Sequence, residues 1–265
     1  MSADNNLRLE TILVMTSARR SRLKRSTRNK VSAFVLPKPP PFVQRIDYTE
    51  LQASTLSTGR VYDTPAGGFA SITTLLGKTQ DPEKAQALAQ WREAVGAEQA
   101  QETLDESSEY GTLVHDTMEA YLRHEAIDAS KLHPLAKRAV KELCQLLKGR
   151  FEQTWALEVP LYSPTLRIAG RTDVVGVWQG KPVILDYKTA RTPKKREDIT
   201  DYFVQLLFYA LAHNEVYGTN IRHGVIAMAV MTGEPQVFEV DLWDLELWQK
   251  FEDKLVSFHG EYFDD

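Results

Sequence analysis

A mixed α/β fold follows from three features of the sequence. Residues 82–154 are rich in Ala, Leu, Glu, Gln and Lys in helical periodicity; residues 155–189 break into β-type segments with short turns; helical and β-type segments then alternate to about residue 258. The resulting order, ααα-βββ-α-ββ-α, is that of a mixed α/β domain. At 265 residues, 43% hydrophobic and 26% charged, the chain buries a sizeable core. It holds no apolar run of the ~18 residues needed to span a membrane.

The N-terminal 45 residues stand apart by charge. They carry ten Lys/Arg against Asp4 and Glu10, a net +8, which leaves −12 for the other 220 residues of a chain whose net charge is −4. Arg19, Arg20, Arg22, Lys24, Arg25, Arg28 and Lys30 fall within twelve residues without an acid, which suits a polyanionic partner. Asp4 and Glu10 ahead of this run speak against a transit peptide, so residues 1–45 read as a basic, flexible arm. Lys38-Pro39-Pro40-Pro41 is held extended by its prolines and serves as the hinge to a body spanning 46–265.

Within the body, Arg60-Val61-Tyr62 and Phe69-Ala70-Ser71-Ile72-Thr73 flank Pro65-Ala66-Gly67-Gly68 and predict a hairpin. Helices are expected over about 82–104, 110–125 and 133–154, completing an N-terminal part, 46–154, that covers the rest. Strands follow at 155–162, 166–178 and 183–189, then a helix over 197–217, strands at 224–231 and 236–240, and a last helix over 242–258. Cys144, the single cysteine, forms no internal disulfide and supplies no four-cysteine cluster. Reducing, cytoplasmic conditions suit it.

The chemistry concentrates in Gly170-Arg171-Thr172-Asp173 and Asp186-Tyr187-Lys188. Strand alternation puts Asp186 and Lys188 on one face and Tyr187 on the other. A turn at Gln179-Gly180 sets Asp173 across from Asp186; a turn at Gly180-Lys181 sets it across from Lys188. Either register brings the three groups together, since opposed residues on one face lie roughly 4.5–5.5 Å apart at Cβ. Two carboxylates that close repel unless a cation neutralises them. Oxygen ligands select hard ions, so Mg2+ or Mn2+ is expected, completed by water and substrate phosphate. On helical stripes, His115 and Glu119 share a face with Met118 and Leu122, and Gln205 and Tyr209 share another.

Taken in order, Gly111-Thr112-x-x-His115, Glu158, Gly170-x-x-Asp173, Asp186-x-Lys188 and Gln205-x-x-x-Tyr209 resemble the RecB-like branch of the PD-(D/E)xK nucleases over about residues 60–240. Ala70–Leu76, Trp91 and Gly111-Thr112 are similar to the mitochondrial genome maintenance exonuclease family and its phage and bacterial relatives. The resemblance implies a restriction-endonuclease-like core, a central mixed β-sheet flanked by helices, with the catalytic sheet in 155–265. It implies a metal-dependent exonuclease acting on DNA, single-stranded or with free ends, in replication, recombination or repair. Asp173 and Asp186 would bind the metal with His115; Lys188 would act on the attacking water. Gln205 and Tyr209 would position the strand, with Glu119 and Glu158 in support. Arg191, Lys194, Lys195 and Arg196 follow the metal strand, where their cations would meet phosphates. Relatives with an iron–sulfur cluster need four cysteines, so no such cluster is expected. An endonuclease of the same fold and a non-catalytic nucleic-acid-binding module are the alternatives. A phage or bacterial origin is expected in preference to a mitochondrial one.

Overall fold

The computed structural model describes residues 34–262. The basic run from Arg19 to Lys30 lies outside them. Residues 34–43, assigned to the arm by charge, run along the body. The ring of His124 meets the Pro40 carbonyl at 2.8 Å. The Thr154 amide donates to the Pro41 carbonyl at 3.0 Å, and the Val43 amide donates to that of Thr154 at 2.7 Å.

Three short strands open the body: β1 (Gln52–Leu56), β2 (Gly59–Thr64) and β3 (Gly67–Ser71), each antiparallel to the next. β1 has no counterpart in the sequence pattern, because its Gln, Ser and Thr side chains are all exposed and leave no alternation. The expected strand through Thr73 stops at Ser71, whose hydroxyl accepts from the Thr74 amide at 3.0 Å and starts helix α1 (Ile72–Lys78) instead.

Helices α2 (Pro82–Val95) and α3 (Ala97–Leu122) meet at Gly96, where φ is 88°. The expected breaks therefore shift: the helix predicted to 104 ends at Val95, and Gly111-Thr112 lies inside α3 rather than at a helix start. Asp81 caps α2 and Pro82 occupies its first turn. α4 (Pro134–Leu147) buries Ala136, Ala139, Val140, Leu143, Cys144 and Leu147, a stripe at helical spacing.

The sheet then continues with β4 (Phe151–Ser163), β5 (Ile168–Trp178) and β6 (Lys181–Ala190), followed by α5 (Thr200–Tyr217), β7 (His223–Val230), β8 (Gln236–Asp241) and α6 (Leu245–Tyr262). Residues 151–154, expected as the end of a helix, already belong to β4. Among the described residues the sheet order is β1-β2-β3-β5-β6-β7-β8, with β4 paired to β5. β3·β5 and β6·β7 are parallel and the other pairs antiparallel, so the sheet is mixed as expected. One face carries a core built with α1, α5 and α6, including Ile72, Leu206, Leu207, Phe208 and Phe251. The other carries the buried faces of α3 and α4, including Met118, Leu122, Leu143 and Trp178.

Candidate active site

The turn joining β5 and β6 fixes the site. Gln179 and Gly180 have φ of 48° and 76°, as a two-residue primed turn requires. Of the two expected registers, the turn selects the one that aligns Asp173 with Asp186. The ladder runs from Trp178↔Lys181 to Val174↔Leu185 and stops there. β3 joins β5 only at Ile168 and Ala169. Since β4 occupies the other edge of β5, residues 170–173 face a gap between β3 and β6.

Asp173 stands at the mouth of that gap. Its Oδ2 accepts the Tyr187 amide at 2.8 Å, replacing the backbone acceptor that the parted strands no longer supply. Asp186 is next along β6, 1% exposed, and its carboxylate is ion-paired with the ammonium of Lys188. Lys188 Nζ also lies 5.0 Å from the centre of the Tyr202 ring. α3 brings His115 over the gap, with Nδ1 3.3 Å from Asp173 Oδ2 and its ring edge-on to Tyr187.

Glu158 arrives from β4. Pairs Leu157↔Val174 and Val159↔Thr172 place it across from Asp173. Its φ is 53°, a left-handed conformation that disfavours a side chain by about 1–3 kcal/mol and gathers at functional sites. The strand turns over there: Leu157 belongs to the core shared with α3 and α4, whereas Val159, two residues on, belongs to the opposite core built with α1, α5 and α6. Ligand atoms of His115, Glu158 and Asp173 lie within 4.8 Å of one another. Glu158, expected only to support the site, thus belongs to the group that converges, while Asp186 is committed to Lys188. The signal was the turn at Pro164–Arg167: strands folded about it set position 158 opposite 173.

Burial and the close approach of the charged groups shape the electrostatics of the site. Burial, with the charges of Asp173 and Glu119 added, pushes the Glu158 carboxyl up to about 7. Burial and the neighbouring Asp173 push Asp186 up to about 6. Burial works against the charge on Asp173, but the hydrogen bond and charge of His115, Lys188 and the Tyr187 amide outweigh it and hold that carboxyl below its usual value. His115 resists the effect of burial through Asp173 and reaches about 9. These donors fit a hard divalent cation: carboxylate oxygens and one imidazole converge, and burial beside the charge of Asp173 raises the carboxyls of Glu158 and Asp186, a cost that a bound cation would relieve.

Residues 126–258 match the PD-(D/E)XK nuclease superfamily. The chain belongs to that superfamily. The nuclease is 26% identical over 200 residues to mitochondrial genome maintenance exonuclease 1 of Mus musculus, covering 72% of this chain and 58% of that protein. It is 26% identical over 172 residues to the protein of the same name from Homo sapiens, covering 62% of this chain and 50% of that one. The chain thus spans between half and three-fifths of the length of these relatives. The crystal structure of SSO0001 aligns over 74% of this chain and 76% of its own at 15% identity and a TM-score of 0.37.

Around the nuclease motif, α5 supplies Gln205, whose amide donates to the Tyr209 hydroxyl at 2.9 Å. The Tyr209 ring packs over Gly170, where an added Cβ would come within 2.8 Å of it. That close approach explains the glycine in Gly170-x-x-Asp173. Burial, then the negative charges of Asp186 and Asp173, hold the Tyr209 phenol protonated far above its ordinary range, so it acts as a hydroxyl near both carboxylates. Glu119 lies one helical turn from His115 and pairs with Arg123 at 2.8 Å.

The basic loop divides. Arg191, Lys194 and Lys195 are exposed, with Lys195 Nζ 3.9 Å from Glu197. Arg196 instead stacks on Phe203 at 4.6 Å and donates to the Glu239 carbonyl, which turns it onto β8. The loop backbone is pinned, since the Lys194 amide donates to Gln236 and the Arg191 carbonyl accepts from Thr232. No helix among the described residues is long and apolar enough to cross a membrane.

Proposed function

We propose that this chain is a metal-dependent exonuclease that hydrolyses phosphodiester bonds of DNA, acting on single-stranded or frayed ends. The observation that carries this reading is the row Glu158, Asp173 and Asp186 across three adjacent strands, with His115 above and Lys188 beside it. Mg2+ or Mn2+ held by His115, Asp173 and Glu158 or Asp186 would lower the pKa of a bound water and stabilise charge on the phosphate. Lys188, in ion pair with Asp186, holds a proton donor at the place where the attacking water and the phosphate oxygens meet. Gln205 and Tyr209 offer neutral hydrogen bonds to the strand. Arg191, Lys194 and Lys195 offer charge to more distant phosphates.

The preference for ends rests on the helical cover. A site beneath α3 admits a flexible single strand more readily than a stiff duplex, and the half-buried ring of Trp91 on α2 could stack bases without reading them. The basic run from Arg19 to Lys30 would grip phosphates. Deleting residues 1–36 should then flatten the dependence of log affinity on log salt by about 0.7 for each single-strand phosphate that the arm neutralises. The enzyme would work in replication, recombination or repair, in a cytoplasmic, reducing setting that suits the buried thiol of Cys144.

The experiment is a side-by-side digestion of end-labelled linear single strands, blunt duplex and covalently closed single-stranded circles with Mg2+. Linear strands should be degraded, duplex cut slowly and circles spared. Rapid cutting of circles would replace the exonuclease reading with an endonuclease one.

A further inference from the structure

Arg171 has no part in the chemistry described so far, yet it lies two residues from Asp173 on the same strand and in the same gap. Its ladder partner is Pro160, so Glu158 is its diagonal neighbour, and the guanidinium charge is felt at the Glu158 carboxyl. Its Nε is buried and has no hydrogen-bond partner. Among the described residues Arg171 forms no ion pair either. A buried donor without an acceptor is unfavourable until something supplies one. Glu158 does not, because its carboxylate turns toward His115 and Asp173.

From this geometry we infer that Arg171 forms a phosphate subsite, binding the backbone phosphate adjacent to the one held at the metal group. Two arguments choose a phosphate over another anion. Residues i and i+2 of a strand lie roughly 6.6 Å apart, about the separation of successive phosphates in an extended nucleic-acid strand. The guanidinium fork matches two phosphate oxygens at once and sheds water readily, so it suits a partly buried position where an ammonium would not. Arg171 thereby sets the register of the strand, deciding which bond lies over Asp173. This inference rests on the nuclease reading above.

The test combines Arg171→Met, which keeps most of the apolar stem, with a strand carrying one uncharged methylphosphonate linkage moved stepwise along it. Binding of short single strands to the full chain is measured with Ca2+ in place of Mg2+. Arg171→Met should weaken binding of the unmodified strand about tenfold. At one linkage next to the scissile bond, the methylphosphonate should weaken the wild type about tenfold and the variant less than twofold. Arg171→Lys should recover part of the affinity and lose the uniform cleavage position. If Arg171→Met does not fold, the same series on Arg171→Lys should show a reduced effect at that one linkage. Equal responses of wild type and variant at every linkage would overturn the subsite while leaving the nuclease intact. A wild type that neither binds nor cuts the unmodified strand would overturn the nuclease reading and the subsite with it.

Discussion

Helices α2 and α5 are of similar length but opposite in their relation to the core. α5 buries ten of its eighteen residues, from Phe203 to His213, and closes one face of the sheet. α2 buries none of its fourteen. α3 repeats the contrast within one helix: apart from Ala100, its buried residues all lie between Val114 and Leu122, beside His115. The chemistry therefore stands on elements with little freedom to move, whereas α2 and the first half of α3 are largely exposed. A helix can be regular without being part of the scaffold, and only burial separates the two kinds.

The largest expected contrast is in activity. Asp186→Asn and Lys188→Ala should each slow single-turnover cleavage by roughly 10²–10³-fold or more, the loss that follows removal of one preorganised charge, while circular dichroism stays unchanged. Trp91→Ala on α2 should leave the hydrolytic step on a short strand intact and raise only KM. Equal kcat losses in both regions would erase the distinction.

Stability should divide the same way. Leu207→Ala, at a fully buried position of α5, should lower the unfolding free energy by about 2–5 kcal/mol in urea. Ala89→Gly, on the exposed face of α2, should shift global unfolding by less than about 0.5 kcal/mol, because α2 can fray without opening the core.

pH sharpens the contrast between the scaffold and the site. His213 on α5 is fully buried between Tyr48 and Thr219, at 2.9 and 2.7 Å, and burial pushes its pKa down to about 4. The unfolded chain takes up this proton near pH 6.5 and the native state does not, so stability falls as pH drops from 6.5 toward 4, by up to about 3 kcal/mol. Glu158 and Asp186 have the opposite sign: their carboxyls are raised in the native state, so their contribution is present in acid and lost as pH rises through about 6 to 7. Without divalent cation, Asp186→Asn should therefore raise Tm at pH 8 and change it little at pH 4. Thermal melts across pH of wild type, His213→Asn and Asp186→Asn would separate the two.

Much of this was legible because local chemistry and tertiary structure agree. Gln179-Gly180 marked the hairpin, the composition and periodicity of 82–154 marked helices, and the alternation of Asp186, Tyr187 and Lys188 placed two charges against one buried ring. The rest depends on contacts between distant segments. The parallel pairing of β3 with β5, and hence the gap, comes from residues about a hundred apart. The left-handed backbone of Glu158 and the unpaired Arg171 are properties of where β4 and β5 turn over, which no periodicity records. β1 escapes a pattern-based reading because an exposed strand needs no apolar residues, and α1 because a Ser71 cap outweighs the β preference of Ile72 and Thr73.

In the proposed function, carboxylates gathered at the parting of β5 and β6 would hold a divalent cation that drives hydrolysis. Its most direct test is to titrate Mn2+ into the wild type and into Asp173→Asn, following cation binding by calorimetry and cleavage of an end-labelled single strand in the same samples. Binding and cleavage should saturate together in the wild type, and both should be lost in Asp173→Asn and in chelator. Undiminished cleavage in chelator, or by Asp173→Asn, would rule out hydrolysis driven by a cation at these carboxylates.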